Sequence, residues 1–261
     1  MPEPPRQEVA GPVLFARYAF PPNLHGYCGP ADHEEFFSSG AAGDHRGLRA
    51  MAQQFAGAWP YLQLIAGATG LTDPLDARVV QAYWVGSPRL DQVGAAATGN
   101  SMQERFRYVA GPQFGDITAG VLAGGVPHHS FAVFCIYPFT SLLTDASKAE
   151  YALNVLDRCR IRWGRVLAVH GDQVVVHSQP LTWDGRRLDF GPTKTETVVQ
   201  SLDGVGMAGS VAIGDWVSMH WEWVCERLTD VQVTRLRHYT QRHLSIVNNA
   251  GDRSLVAPIL G

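Results

Sequence analysis

Residues 159–178 read CRIRWGRVLAVHGDQVVVHS. Apolar residues recur through 161–169, Gly171-Asp172 is a turn signal, and valines fill 173–178. This is the grammar of a strand, a tight turn and a second strand. One of only four cysteines opens the stretch, and Arg158, Arg160, Arg162 and Arg165 surround it.

Working outward toward the C-terminus, the β pattern continues. Asp184-Gly185 is a hairpin signal before a strand at 186–190, and 195–200 is β-branched. Gly214-Asp215 then introduces WVSMHWEWV, in which Trp216, Ser218, His220 and Glu222 alternate with Val217, Met219, Trp221 and Trp223. Five short strands at this spacing predict a small barrel. Thr229 with Gln232 forms a capping box that opens a helix over 230–248.

Toward the N-terminus the grammar is helical. Leu48, Met51 and Phe55, then Leu62 and Ile65, stand at helical spacing, with Pro60 dividing two segments. DPLDARVVQAYWVG starts at Asp73-Pro74 and stops at Gly86, and DASKAEYALNVLDR places Ala149, Leu153 and Leu156 on one face. The glycine-rich stretch 111–129 reads as loop. The expectation is an α+β chain: a mostly helical domain over 1–150, then a small β-barrel with a C-terminal helix over 151–250.

The bulk numbers exclude several classes. Apolar residues make up 46%, charged residues 17%, and the net charge is −3. Basic runs are interleaved with acids, so no nucleic-acid partner is expected. No apolar run reaches membrane-spanning length, and the Pro-rich, acidic start argues against a secretory signal. Cys28, Cys135, Cys159 and Cys225 form no C-x-x-C pair, which disfavours a disulfide framework or a zinc ribbon. A cytoplasmic protein with reduced thiols and no membrane partner is expected.

Residues 159–228 resemble the HypC/HupF family of [NiFe]-hydrogenase maturation chaperones. Family members begin with Met-Cys, then four residues, then Gly-x-Val; here Cys159 precedes Arg-Ile-Arg-Trp and Gly164-Arg165-Val166. The second hallmark, Gly-Asp-Tyr/Trp-Val leading to His-x-Gly-Phe-Ala, corresponds to Gly214-Asp215-Trp216-Val217 and His220-Trp221-Glu222-Trp223-Val224. Cys159 is internal here rather than N-terminal, Glu222 stands for the glycine and Trp223 for the phenylalanine. The resemblance implies an OB-like barrel and a transient carrier of iron bearing cyanide and carbon monoxide, with Cys159 and His220 as metal ligands. It further implies a HypD-like scaffold protein and a [NiFe]-hydrogenase large-subunit precursor as partners.

Thiolate and imidazole suit iron, and two protein ligands suffice where diatomic ligands fill other positions. The four arginines are expected to lower the Cys159 pKa through their field. On an alternating strand Cys159, Ile161 and Trp163 would share one face and Arg158, Arg160 and Arg162 the other. A rival site lies in HGYCGPADHEEFF, where Cys-Gly-Pro resembles the nucleophile region of papain-like peptidases. That reading makes Cys28 the nucleophile of a hydrolase or transferase, with His128 or His129 as base and the barrel as a binding module. Adjacent His128 and His129 on a strand would point to opposite faces, and His238 and His243 read as solvent-facing.

Overall fold

The computed structural model describes residues 9–106 and 114–254. The N-terminal half is helical: α1 Gly11–Leu24, α2 His33–Ala42, α3 His45–Ala52, α4 Trp59–Ala68, α5 Ala77–Trp84, α6 Ala95–Phe106 and α7 Phe114–Leu122. The short α8, His129–Phe131, runs into a π-helical turn at Ala132–Ile136; α9 is Phe139–Leu142 and α10 Ala149–Cys159. Of the 111–129 stretch expected as loop, 111–113 lies outside the described residues, while α7 occupies 114–122.

α1 is the helix around which the others gather. Its Phe15, Tyr18 and Phe20 are each at most 1% exposed, and it packs on α2, α3 and α5. Pro12 sits at its first turn, where a missing N–H costs nothing. Gly11 admits no side chain, since a Cβ there would lie 1.7 Å from the Leu75 carbonyl oxygen.

The strands are β1 Arg162–His170, β2 Gln173–Ser178, β3 Leu181–Trp183, β4 Leu188–Phe190, β5 Lys194–Val199, β6 Trp216–His220 and β7 Trp223–Leu228. β3 and β4 form a separate two-stranded ribbon across the Asp184-Gly185 turn. The other five make one sheet, paired β1-β2-β5-β7-β6 with β6 back against β1. Every pairing is antiparallel except β5 with β7, which meet in parallel at Val199 and Trp223. α11, Asp230–Ser254, follows the expected capping box: Gln232 N–H donates to Thr229 Oγ1 at 3.2 Å, and Thr229 N–H to Gln232 Oε1 at 2.8 Å.

WVSMHWEWV is not one alternating strand. The chain reverses at Trp221-Glu222, which puts His220 and Trp223 opposite each other across a tight hairpin. Trp221 takes the left-handed φ of +52°, unusual for a bulky side chain. The two motif stretches meet: Val166 N–H donates to the Asp215 carbonyl and Gly214 N–H to the Val166 carbonyl, both at 2.9 Å. Gly164 sits in a close fit, where a Cβ would stand 3.1 Å from Met219 Cε and 3.2 Å from Val176 Cβ and would press both side chains back by a few tenths of an ångström.

One hydrophobic core crosses residue 150. It joins Phe15, Phe20, Tyr61 and Trp84 of the helical half to Ile161, Trp163, Trp223 and Leu236. Phe20 meets Trp223 edge-on at 5.1 Å. A second, β-lined core holds Val166, Val174, Val176, Val217 and Met219. Among the described residues, no helix is long and apolar enough to cross a membrane.

Candidate metal centre

Cys159 ends α10, His220 ends β6, and His129 begins α8. One donor atom from each of these three residues lies within 4.8 Å of the other two. The two residues singled out by the motif thus converge, and His129, expected as a base for Cys28, joins them instead. The imidazoles of His129 and His220 are 5.0 Å apart in an edge-on arrangement. His220 is fully buried, His129 4% exposed, and Cys159 half-buried.

His220 is held as metal-binding histidines are held. Its Nδ1–H donates to the Tyr18 carbonyl at 2.6 Å, which leaves Nε2 with the lone pair. That Nε2 is buried and has no hydrogen-bond partner. The Tyr18 carbonyl is available because of the sequence of α1. Its ordinary partner four residues on would be the N–H of residue 22, which is Pro22 and has none. The Tyr18 hydroxyl donates to Glu226 Oε1 at 2.6 Å and bonds Ser218 Oγ at 2.9 Å, fixing α1 to both strands of the hairpin.

His129 Nε2–H donates to the Cys159 carbonyl at 2.8 Å, and its Nδ1 faces the Tyr83 hydroxyl at 3.4 Å. Burial keeps both imidazoles neutral, the form that binds metals: His129 is pushed down to about 4 and His220 well below its ordinary value.

The arginines do something other than activate the thiol. Arg160 and Arg162 are each 1% exposed, and Cys159 is still helical with β1 beginning only at Arg162, so no strand alternation places Cys159 opposite Arg158 and Arg160. Arg160 Nη2 donates to Asp157 Oδ1 at 2.8 Å and to the Gln179 carbonyl, and its guanidinium lies over Trp163 and Phe190. Arg162 donates to Glu196 and to the Trp221 carbonyl. Arg158 Nη1 pairs with Glu222 Oε1 at 2.6 Å, and Arg165 lies over Trp216. Arg158 and Arg160 thus tie the end of α10 to the hairpin tip and to the segment after β2, while Arg162 and Arg165 hold strands of the sheet to one another. Burial, with the nearby Cys28 sulfur adding to it, pushes the Cys159 thiol up to about 12, the reverse of the expected lowering.

Cys28 lies in the turn after α1 rather than at a helix N-terminus, and burial pushes its thiol up to about 12. Among the described residues no hydrogen bond joins its sulfur to an imidazole, and the Cys28 charge bears on Cys159 rather than on His129. The turn does enclose a hollow of about 580 Å³, lined by residues 23–31 and His33. Tyr27 stacks on Trp221 at 4.8 Å, and His25 Nε2 meets Glu222 Oε2 at 3.1 Å. The Cys28 turn therefore lies over the hairpin tip beside the cluster.

His128 and His243 belong to a different structure. His128 caps α8 rather than lying on a strand, and its Nδ1 accepts from the Ser130 backbone N–H at 3.1 Å. His243 is fully buried, not solvent-facing; Nδ1 bonds Ser130 Oγ at 2.7 Å and Nε2 accepts the Val126 N–H at 3.3 Å. His238 is exposed, as expected.

The sequence profile of the Family of unknown function (DUF6390) matches residues 7–254, so the chain belongs to that family. The match spans the helical half and the sheet together, and includes all three members of the cluster. No curated protein and no solved structure shows a significant match.

Proposed function

We propose that this chain is a [NiFe]-hydrogenase maturation accessory protein, a transient carrier or delivery factor for the Fe(CN)2CO fragment. In this reading the five-stranded sheet is a HypC-like, OB-like barrel, and the fragment is cargo held by Cys159 Sγ and His220 Nε2. The observation that carries the reading is the convergence of these two side chains. They are far apart in sequence, come from the two motif stretches of the resemblance, and meet where His220 presents an unpartnered buried nitrogen.

The raised Cys159 thiol adds a chemical consequence. At neutral pH it carries its proton, so an incoming metal must displace it, and affinity falls as pH falls. A ligand whose metal bond competes with reprotonation suits a carrier that must let go. The HypD-like scaffold and the hydrogenase large-subunit precursor are the partners this reading assigns, in a cytoplasmic setting.

The test is infrared spectroscopy of the chain purified without oxygen from cells that make a [NiFe]-hydrogenase. Cyanide and carbon monoxide stretching bands are expected in the wild type and lost in Cys159→Ala and in His220→Ala. A wild-type chain that shows no such bands in any maturation background overturns the proposal.

A further inference from the structure

We propose that His129 is a third protein ligand, which makes the centre a two-imidazole, one-thiolate site built jointly by the helical half and the sheet. The inference deepens the reading above and rests on the same Cys159–His220 pair. It adds a donor that the motif resemblance does not contain, from a part of the chain that the resemblance does not cover.

Three observations lead there. First, the donor atoms lie within 4.8 Å of one another. Metal–nitrogen bonds near 2.0 Å and metal–sulfur bonds near 2.3 Å hold donors roughly 3.3–3.8 Å apart around a four-coordinate ion. Side-chain rotations that together bring the donors about 1–1.5 Å nearer close that gap. Second, His220 Nε2 is buried without any partner, and a cation at the centre of the three donors would supply one. Third, His129 has a ready partner on its far side. Its Nε2 edge faces Cys159, whose carbonyl also bears on His220. The opposite nitrogen, Nδ1, faces the Tyr83 hydroxyl at 3.4 Å.

Metal loading then proceeds by a change of tautomer. His129 Nε2 gives up the proton it donates to the Cys159 carbonyl, and its lone pair binds the metal. Nδ1 takes a proton and donates it to the Tyr83 oxygen, so His129 stays neutral throughout. Cys159 Sγ loses its proton to solvent as the sulfur–metal bond forms, giving one proton released per metal bound. Tyr83 becomes the outer partner of His129 as the Tyr18 carbonyl already is of His220.

The donor set selects the metal class. Two imidazoles and a thiolate favour ferrous, cobaltous or zinc ions and disfavour magnesium and calcium. A bare ion would keep one open position in a tetrahedral arrangement. Around a six-coordinate ferrous centre already carrying three diatomic ligands, three protein donors complete the shell. Handing such a cargo on then requires one protein donor to leave, and His129 has a hydrogen bond to return to.

The experiment is cobalt(II) titration of the reduced full chain without oxygen. One equivalent should bind, with a thiolate-to-cobalt charge-transfer band and visible bands of a four-coordinate ion. His129→Gln keeps a donor for the Cys159 carbonyl and should weaken cobalt binding about 100-fold and shift the visible bands. Tyr83→Phe should weaken it about 10-fold, and Cys28→Ser should leave the spectrum unchanged. If His129→Gln binds with unaltered affinity and spectrum, the third ligand falls while the Cys159–His220 pair stands. A wild type that binds no cobalt also overturns the third ligand; the infrared bands judge the carrier reading separately. Should His129→Gln not fold, X-ray absorption of the cobalt-loaded wild type decides between two imidazoles with one sulfur and one imidazole with one sulfur.

Discussion

His220 and His243 are both fully buried imidazoles, yet their surroundings differ in one respect that separates structure from chemistry. At the seam of α8 and α11, His243 has both nitrogens engaged, by Ser130 Oγ and by the Val126 N–H. At the seam of α8 and β6, His220 has one nitrogen engaged and the other buried with nothing to bond. A buried polar atom left unpaired costs about 1–3 kcal/mol; His128 Nε2 in the first seam shares that condition, and what sets His220 apart is that its free nitrogen stands with the donors of His129 and Cys159. The adjacent His128 and His129 are divided between these two seams.

Acid should produce the largest effect, because both seams respond to it. Burial pushes His243 down to about 3 and His129 to about 4, and holds His128 and His220 well below the ordinary value. Unfolded imidazoles titrate near 6.5, so below that pH the unfolded chain binds protons that the folded one refuses. Stability is therefore complete above about pH 6.5 and is lost as pH falls toward 4. Each histidine contributes a slope of about 1.4 kcal/mol per pH unit, and four together about 5. Circular dichroism should show cooperative unfolding between roughly pH 6 and 5; a chain still folded at pH 4 would deny that these imidazoles are buried and neutral.

Arg162→Ala comes next. It strands Glu196, whose carboxylate is held below its usual range, against the cost of its burial, by the Arg162 charge and the Ser178 hydroxyl. Loss of one partner from such a buried pair costs about 3–5 kcal/mol. Urea denaturation should show it, and an effect below 1 kcal/mol would mean that the arginine is not a fastener.

The smallest effect sharpens the contrast most. His243→Ala should cost about 1–3 kcal/mol by leaving the buried Val126 N–H unpaired, with cobalt affinity unchanged. His220→Ala should abolish cobalt binding. If both variants alter stability and affinity alike, the two seams are not distinct.

Much of this was legible in the sequence and some was not, for identifiable reasons. The 159–178 strand pair, the Asp184-Gly185 ribbon and the capping box of α11 rest on local turn and cap chemistry, which reads directly. The pairing of Cys159 with His220 came from the motif order. His129 joined neither, because a helix start brought into place by α11 and α5 leaves no local pattern. α1 carries no local signature that announces it: Pro21 and Pro22, helix breakers elsewhere, lie inside it, and Pro22 frees the carbonyl that His220 uses. The arginines misled because charge around a thiol is visible in sequence, while two of the carboxylates that absorb it, Glu196 and Glu222, lie far along the chain.

Glu222 carries a consequence of its own. Its side chain is 39% exposed and meets both Arg158 and His25, while its backbone carbonyl accepts the Val199 N–H at 2.7 Å where β5 meets β7. Exposed pairs of this kind contribute about 0–1 kcal/mol each. In the proposed carrier reading, the Cys28 turn is therefore a cover latched to the hairpin tip by this exposed His25 pair and the Tyr27–Trp221 stack, contacts shallow enough for an arriving protein to spring.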